Sequence, residues 1–421
     1  MKKLSAAFGI ALLSTTAIFA QKPTIEFNAK GILSLSDGDM AASAVVDGKL
    51  LKETGVKDAL TIYPLPLKLG QEEGSSPVPN SAIGWTRNVA FTSDNRFAYV
   101  LETRGQTADS AKVLKNVATD LPEGSNLYIV DISNLTKPSA RKAPIGKNPL
   151  AIDILGSNAV ITSEETGKEL RLLEIGTGGL PTRNVAIPLP LQNARATDVA
   201  WHPEGEFIAI TVEETKEIWL YKVKRNPQGK VATFEAFGTP AKLSGKPGTG
   251  AFTPDGNFFL VADLKDGASA SEIAVVQFNT KTEDPKAAEH KVIGQVAVGV
   301  GAESFSISPD GALVVVANKN GSAQPWSGNV SKASVSLLTL SKEGALAKVA
   351  DYEIDGIAPE SIVFDKTGDN VAVSLYEYFD YGRRDGGIEF FKVTKGGTPA
   401  LTKQAAKISA PKGCHTVKII P

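Results

Sequence analysis

The 421-residue sequence has a single cysteine, Cys414, so no disulfide can form within the chain. It has no surplus of either charge: 45 Lys and Arg face 46 Asp and Glu. That balance removes the long-range electrostatic case for nucleic acid or an anionic membrane surface, while leaving room for a local charged site. Nucleophile elbow, phosphate-binding loop, dinucleotide fingerprint, haem-attachment motif and close metal-ligand spacing are all missing. The apolar run Phe8 to Ala20 is too short to span a bilayer. Nothing local names a reaction, so the chain has to be read through its larger-scale pattern.

That short run has its own meaning. Lys2 and Lys3 precede it and Ala20 closes it, which is the layout of a secretory signal peptide. No cysteine follows to take a lipid. The expectation is a periplasmic or secreted protein without a membrane span, whose stability rests on its core and topology. Cys414 is expected as a small apolar residue at the start of an inner strand rather than as a reactive thiol.

From residue 86 onward one pattern recurs: an alternating strand, a tight turn, a second apolar strand, a variable loop, and two further strands. The stretch Ser304 to Asn318 (SFSISPDGALVVVAN) shows it most clearly. Its Asp310-Gly311 pair supplies the turn, because glycine accepts positive φ without steric cost. The last apolar residues before each turn are Phe91, Ile154, Trp201, Phe252, Ile307 and Phe364, and Ile419 is the next equivalent. They recur 47 to 63 residues apart, close to propeller-blade spacing with loop insertions.

The strand around Ile419 has nothing after it to pair with. Its partners are expected at the other end of the chain, in SAVVDG (43–48) and ALTIYPL (59–65). The fold predicted is therefore all-β: a seven-bladed β-propeller of four-stranded blades, closed by the C-terminal strand joining N-terminal strands. Residues 21–40 form an N-terminal segment, with Thr24 to Phe27 as one strand, and residues 41–421 form a single propeller domain.

The turns SPDG (308–311), TPDG (253–256) and HPEG (202–205), followed by VVVAN, FFLVAD and FIAIT, resemble those of the lactonase-like and YVTN-repeat seven-bladed propellers. The resemblance covers essentially the whole mature chain. It implies a fold shared by sugar-lactone hydrolases, by quinoprotein amine dehydrogenase subunits and by scaffolds without chemistry, so the reaction has to be argued from the site.

In such a blade the A–B turns lie on one face, and the D–A and B–C loops on the other. Chemistry is expected on the loop face. Four positions before each inner-strand marker stand Arg87, Leu150, Thr197, Gly248, Glu303, Glu360 and His415. Ring closure makes blades 5, 6, 7 and 1 neighbours, so Glu303, Glu360, His415 and Arg87 are expected as an arc at the channel mouth. A Glu or His could act as base toward a lactone carbonyl, with Arg87 on the oxyanion. Alternatively, Glu303, Glu360 and His415 could take a divalent metal.

Polar residues ending the second strands add Glu102, Asp263, Asn318 and Glu377 as candidate ligand contacts, with strand-end amide pairing as the plainer reading. Long B–C loops add Trp326, Tyr378, Tyr381, Arg383 and Arg384; aromatics mixed with arginines favour a binding surface. His202, in the HPEG turn, is expected to be structural, and His290 to be exposed. The function expected is capture of a small-molecule ligand or protein partner by a monomer at the loop face, the alternative being lactonase-type hydrolysis.

Overall fold

The structure is a computed structural model describing residues 24–67, 72–84, 87–282, 284–324, 331–378 and 385–421. Seven antiparallel blades of four strands make up the ring, the sheet of blade 3 carrying an extra short strand, Ala241–Lys242. Blade 1 begins with Val89–Phe91, blade 2 with Pro149–Leu155, blade 3 with Ala196–Trp201 and blade 4 with Pro247–Phe252. Blades 5 and 6 begin with Ser304–Ile307 and Ile362–Phe364. Blade 7 is composite: Cys414–Ile420 is innermost, followed outward by Gly31–Ser36, Ala59–Pro64 and Gly74–Ser76. Ring closure by the C-terminal strand therefore holds.

The partner of that strand differs from the expectation. Gly31–Ser36 supplies it, with Ile32 opposite Ile419 and Ser34 opposite Val417. All six of its residues are buried. The segment expected as a strand, 43–48, is instead the helix Ala42–Asp47, ended by Gly48 in the left-handed conformation with its N–H on the Ala44 carbonyl. The Asp47-Gly48 pair, expected at the end of a strand, serves here as a helix stop. Thr24 to Phe27 is not a strand either. It lies along blade 6 in irregular form, with Phe27 edge-on to Phe390 and the Glu26 N–H donating to Gln404.

The A–B turns follow the chemistry read from the sequence. In blade 5, Gly311 has a φ of 74° and donates its N–H to the Ser308 carbonyl, while the Ser308 hydroxyl accepts from Leu313 N–H. Between blades, apolar faces interlock. Leu313, Val315 and Val335 of blade 5 pack with Ile362, Val371 and Val373 of blade 6 in one buried cluster.

One feature has no counterpart in a plain propeller. Helix Ala42–Asp47, the short pairing of Leu50–Leu51 with Val113–Leu114, and helix Val117–Asp120 form a cap. Met40, Ala44, Leu50, Leu114 and Val117 pack there against Ala323, Ala358 and Tyr376. Those last three belong to the loop-face ends of blades 5 and 6, so the cap covers the loop face where the predicted arc stands.

Candidate functional site

Beneath the cap, two of the four arc residues meet on a residue that the sequence reading missed. Lys319, just after the second strand of blade 5, places Nζ 2.8 Å from Glu303 Oε2 and 3.1 Å from Glu360 Oε1. Burial disfavours the Lys319 ammonium, but Glu303 and Glu360 together hold its pKa above the ordinary value. Burial pushes the Glu360 carboxyl up to about 7 against the pull of Lys319. Glu360 is 5% exposed and Glu303 26%, so the ion triplet opens toward solvent on the Glu303 side.

His415 stands close by with a different task. Asn80 donates both amide hydrogens, to the Ser36 and Val78 carbonyls, which leaves its Oδ1 as the acceptor 2.7 Å from His415 Nε2. His415 therefore carries its proton on Nε2, and Nδ1 faces the Thr416 hydroxyl at 3.0 Å. Burial, with Lys319 nearby, pulls the imidazole down to about 3, so it is neutral at physiological pH.

Arg87 does not join the arc. Its guanidinium runs into the channel, with Nε 2.8 Å from Asp198 and a terminal nitrogen 3.9 Å from Asp153, and it also donates to the Gly250 carbonyl. One side chain of blade 1 thus reaches blades 2, 3 and 4.

The carboxylates do gather elsewhere. Asp37 and Asp39 follow Gly31–Ser36, Asp58 precedes the next strand, and one oxygen from each lies within 4.8 Å of the others. Among the described residues this is the group of three able to approach a metal; Glu303, Glu360 and His415 do not form one. Lys52 Nζ already lies 3.3 Å from Asp39. Asp58 accepts the Gly38 and Asn80 N–H groups, and Asp37 accepts that of Ala82. Burial and mutual repulsion raise the Asp37 carboxyl and push Asp58 up to about 7. The cluster meets its charge by proton and lysine. Gly413 fits against it, with φ of 82° and its carbonyl accepting the Asp37 N–H; a Cβ there would collide with the Asp37 carbonyl.

The strand-end candidates are engaged within their own blade, with a neighbouring blade or with the cap. Glu102 accepts the Ser125 and Asn126 N–H groups, and Asp263 accepts from Ser244, Gly245 and Lys265. Asn318 accepts from Gly299 N–H and donates to Ser334 and Ser336. Glu377 faces the start of the cap helix at Ala42 N. Tyr378 lies under Lys407, whose Nζ is 3.9 Å from its ring centre, on the flank of blade 6. Trp326, Tyr381, Arg383 and Arg384 lie outside the described residues. His202 bridges the Glu204 N–H and Gly256 carbonyl as a turn brace, as expected. His290, expected exposed, is buried on Phe278 and contacts the Phe237 carbonyl at 2.7 Å. Cys414 is buried as expected, and burial pushes its thiol up to about 12.

The family model for lactonase, 7-bladed beta-propeller, matches residues 192–416, more than half of the chain. The protein belongs to the lactonase seven-bladed β-propeller family. No curated protein sequence matches it. Among solved structures, the periplasmic gluconolactonase of Pseudomonas aeruginosa aligns with a TM-score of 0.58 at 12% identity, over 93% of this chain and 99% of that one. A Bacteroides fragilis protein assigned provisionally as a 6-phosphogluconolactonase aligns at 0.61 and 15% identity, over 93% and 98%. At such identities the likeness concerns the fold of this lactonase-family chain, not its substrate.

Proposed function

We propose that this lactonase-family protein hydrolyses a small lactone beneath the cap, with Glu360 as general base and Lys319 polarising the carbonyl. The observation that carries this reading is the Lys319 ammonium held between Glu303 and Glu360. Family membership and two neighbours named for gluconolactone chemistry support it.

The chemistry follows from the charges. A carboxylate whose pKa lies near 7 is suited to take a proton from water at neutral pH. The activated water adds to the lactone carbonyl, and the oxyanion forms against Lys319, which Glu303 keeps charged and oriented. Collapse breaks the ring C–O bond, and the proton held by Glu360 passes to the leaving alkoxide. His415, neutral and fixed on Asn80, offers a hydrogen-bonded wall rather than a base. Asp37, Asp39 and Asp58 are the residues that would hold a divalent cation, in competition with Lys52.

Lys2, Lys3 and the apolar run Phe8 to Ala20 support a site of action outside the cytoplasm as part of this proposal. Turnover of gluconolactone and 6-phosphogluconolactone by the purified mature protein tests the hydrolase reading. Glu360→Gln should lower kcat by ~100-fold or more while the fold survives. A thermal shift with these lactones, without turnover by the wild-type protein, would reduce the proposal to ligand capture.

A further inference from the structure

The opposite end of the channel holds a second set of groups that lactone hydrolysis beneath the cap does not use. A cavity of about 340 Å³ opens there between the A–B turns, flanked by Pro203 and Pro254. That volume falls at the small end of ligand sites, ~300–1,000 Å³. Arg87 and Asp153 line it together with Lys418, Ser304, Ser306 and Ser361. Blades 1, 2, 5, 6 and 7 all contribute, so the cavity is a product of the closed ring.

The charges in it are not evenly committed. Asp198 and Asp153 flank Arg87, which also donates to the Gly250 carbonyl. Asp153 further accepts the Trp201 N–H. Among the described residues the Lys418 side chain makes no hydrogen bond or ion pair; Asp153 and Asp198, both engaged by Arg87, attract it without contact. A half-buried ammonium that faces a polar cavity with no counter-ion in contact can take an acceptor from outside the chain, because a partly desolvated charge gains from being paired. Three serines line the same cavity; Ser361 donates to the Val417 carbonyl and Ser306 accepts the Phe364 N–H, and the hydroxyl capacity that is left suits a ligand that carries hydroxyls as well as charge.

We propose that this cavity is a second ligand site, taking a small hydroxycarboxylate whose carboxylate pairs with Lys418. The protonation state agrees with that assignment. Burial and the adjacent Arg87 lower the Lys418 pKa to about 8, against the opposing pull of Asp153 and Asp198. The ammonium is thus the majority form at neutral pH, and a bound anion would stabilise it further. Deprotonation empties the site of its positive partner, so affinity falls as pH rises through about 8 and beyond.

Isothermal titration of the full mature protein with sodium glycolate and sodium gluconate, at pH 6.5 and pH 9.5, tests the site. Saturable binding at the lower pH is expected, weakened at least tenfold at the higher one. Lys418→Met should weaken it at least tenfold, with Lys418→Gln as the second variant if the first fails to fold. Glu360→Gln, which alters only the capped end, should leave it unchanged. No saturable binding by the wild-type protein would overturn the proposal, as would binding that survives both Lys418 variants. Loss of binding in Glu360→Gln with retention in a Lys418 variant would move the ligand to the capped end and likewise overturn it.

Discussion

His415 Nε2 and Asn80 Oδ1 meet at 2.7 Å although 335 residues separate them in the chain. The contact joins the last strand of the ring to the segment that follows the outermost strand of the same blade. Asn80 also donates its backbone N–H to Asp58, so it links the imidazole to the acidic cluster. Replacing Asn80 by Ala removes an acceptor from a buried ring N–H and two donors from buried carbonyls. Stability should fall by ~1–3 kcal/mol, the usual cost of stranding a buried polar group, measured by urea unfolding.

Ring closure makes a larger demand. Deleting residues 413–421 removes the innermost strand of blade 7 and leaves Gly31–Ser36 with an open edge. The truncated chain should lose cooperative unfolding of the whole ring, seen as a lowered and broadened thermal transition. Unfolding identical to the full chain would contradict the composite blade.

The arginine inside the channel should matter for stability rather than catalysis. Arg87→Met leaves Asp198, which is 1% exposed at its side chain, without its counter-ion. A loss of ~3–5 kcal/mol is expected from breaking a buried pair in this way. Lactone turnover per folded molecule should be kept, and an active-site titration at low temperature separates the two effects.

The acidic cluster should give stability an unusual pH slope. Asp58 ionises near 7 in the folded chain and near ~4 when unfolded. Between those values the folded state keeps a proton that the unfolded state has lost. Its contribution is therefore full below ~4 and is lost as pH rises to about 7. The wild-type protein should lose ~2–4 kcal/mol relative to Asp58→Asn over that interval. His415 works in the opposite direction, its contribution being present above ~6.5 and lost as pH falls toward 3, so the comparison between variants is the informative one.

Catalysis should follow Glu360. Activity should rise with ionisation of the carboxylate, giving an apparent pKa near 7 in kcat/KM for the lactone. Lys319→Met should lower kcat/KM strongly and shift the limb of the residual activity upward, because the ammonium favours the ionised carboxyl.

Most of the ring was legible in the sequence because a repeat states its pattern many times. SPDG, TPDG and HPEG each place a turn, and the unpaired strand at Ile419 demands closure. Local ambiguity entered where there was only one copy. SAVVDG alternates well enough for a strand, yet its Asp-Gly pair ends a helix, and GILSLS carries the pairing instead. The site was half legible. Counting four residues back from each marker brought Glu303 and Glu360 forward, but a spacing rule cannot show where a long side chain goes. Arg87 left the arc for that reason. Lys319 was missed because it sits one residue beyond the strand-end position searched, and Asp37, Asp39 and Asp58 because the preceding strand was misplaced. The SDGDM run at 36–40 carried the available signal.

The composite blade also sets an order of events. Of the described strands, Gly31–Ser36 is the first to be synthesised and its partner Cys414–Ile420 the last. The early segment waits through nearly the entire length of translation with one edge open. A chain that lacks Cys414–Ile420 cannot finish the ring, so blade 7 closes only after the other six blades have been made.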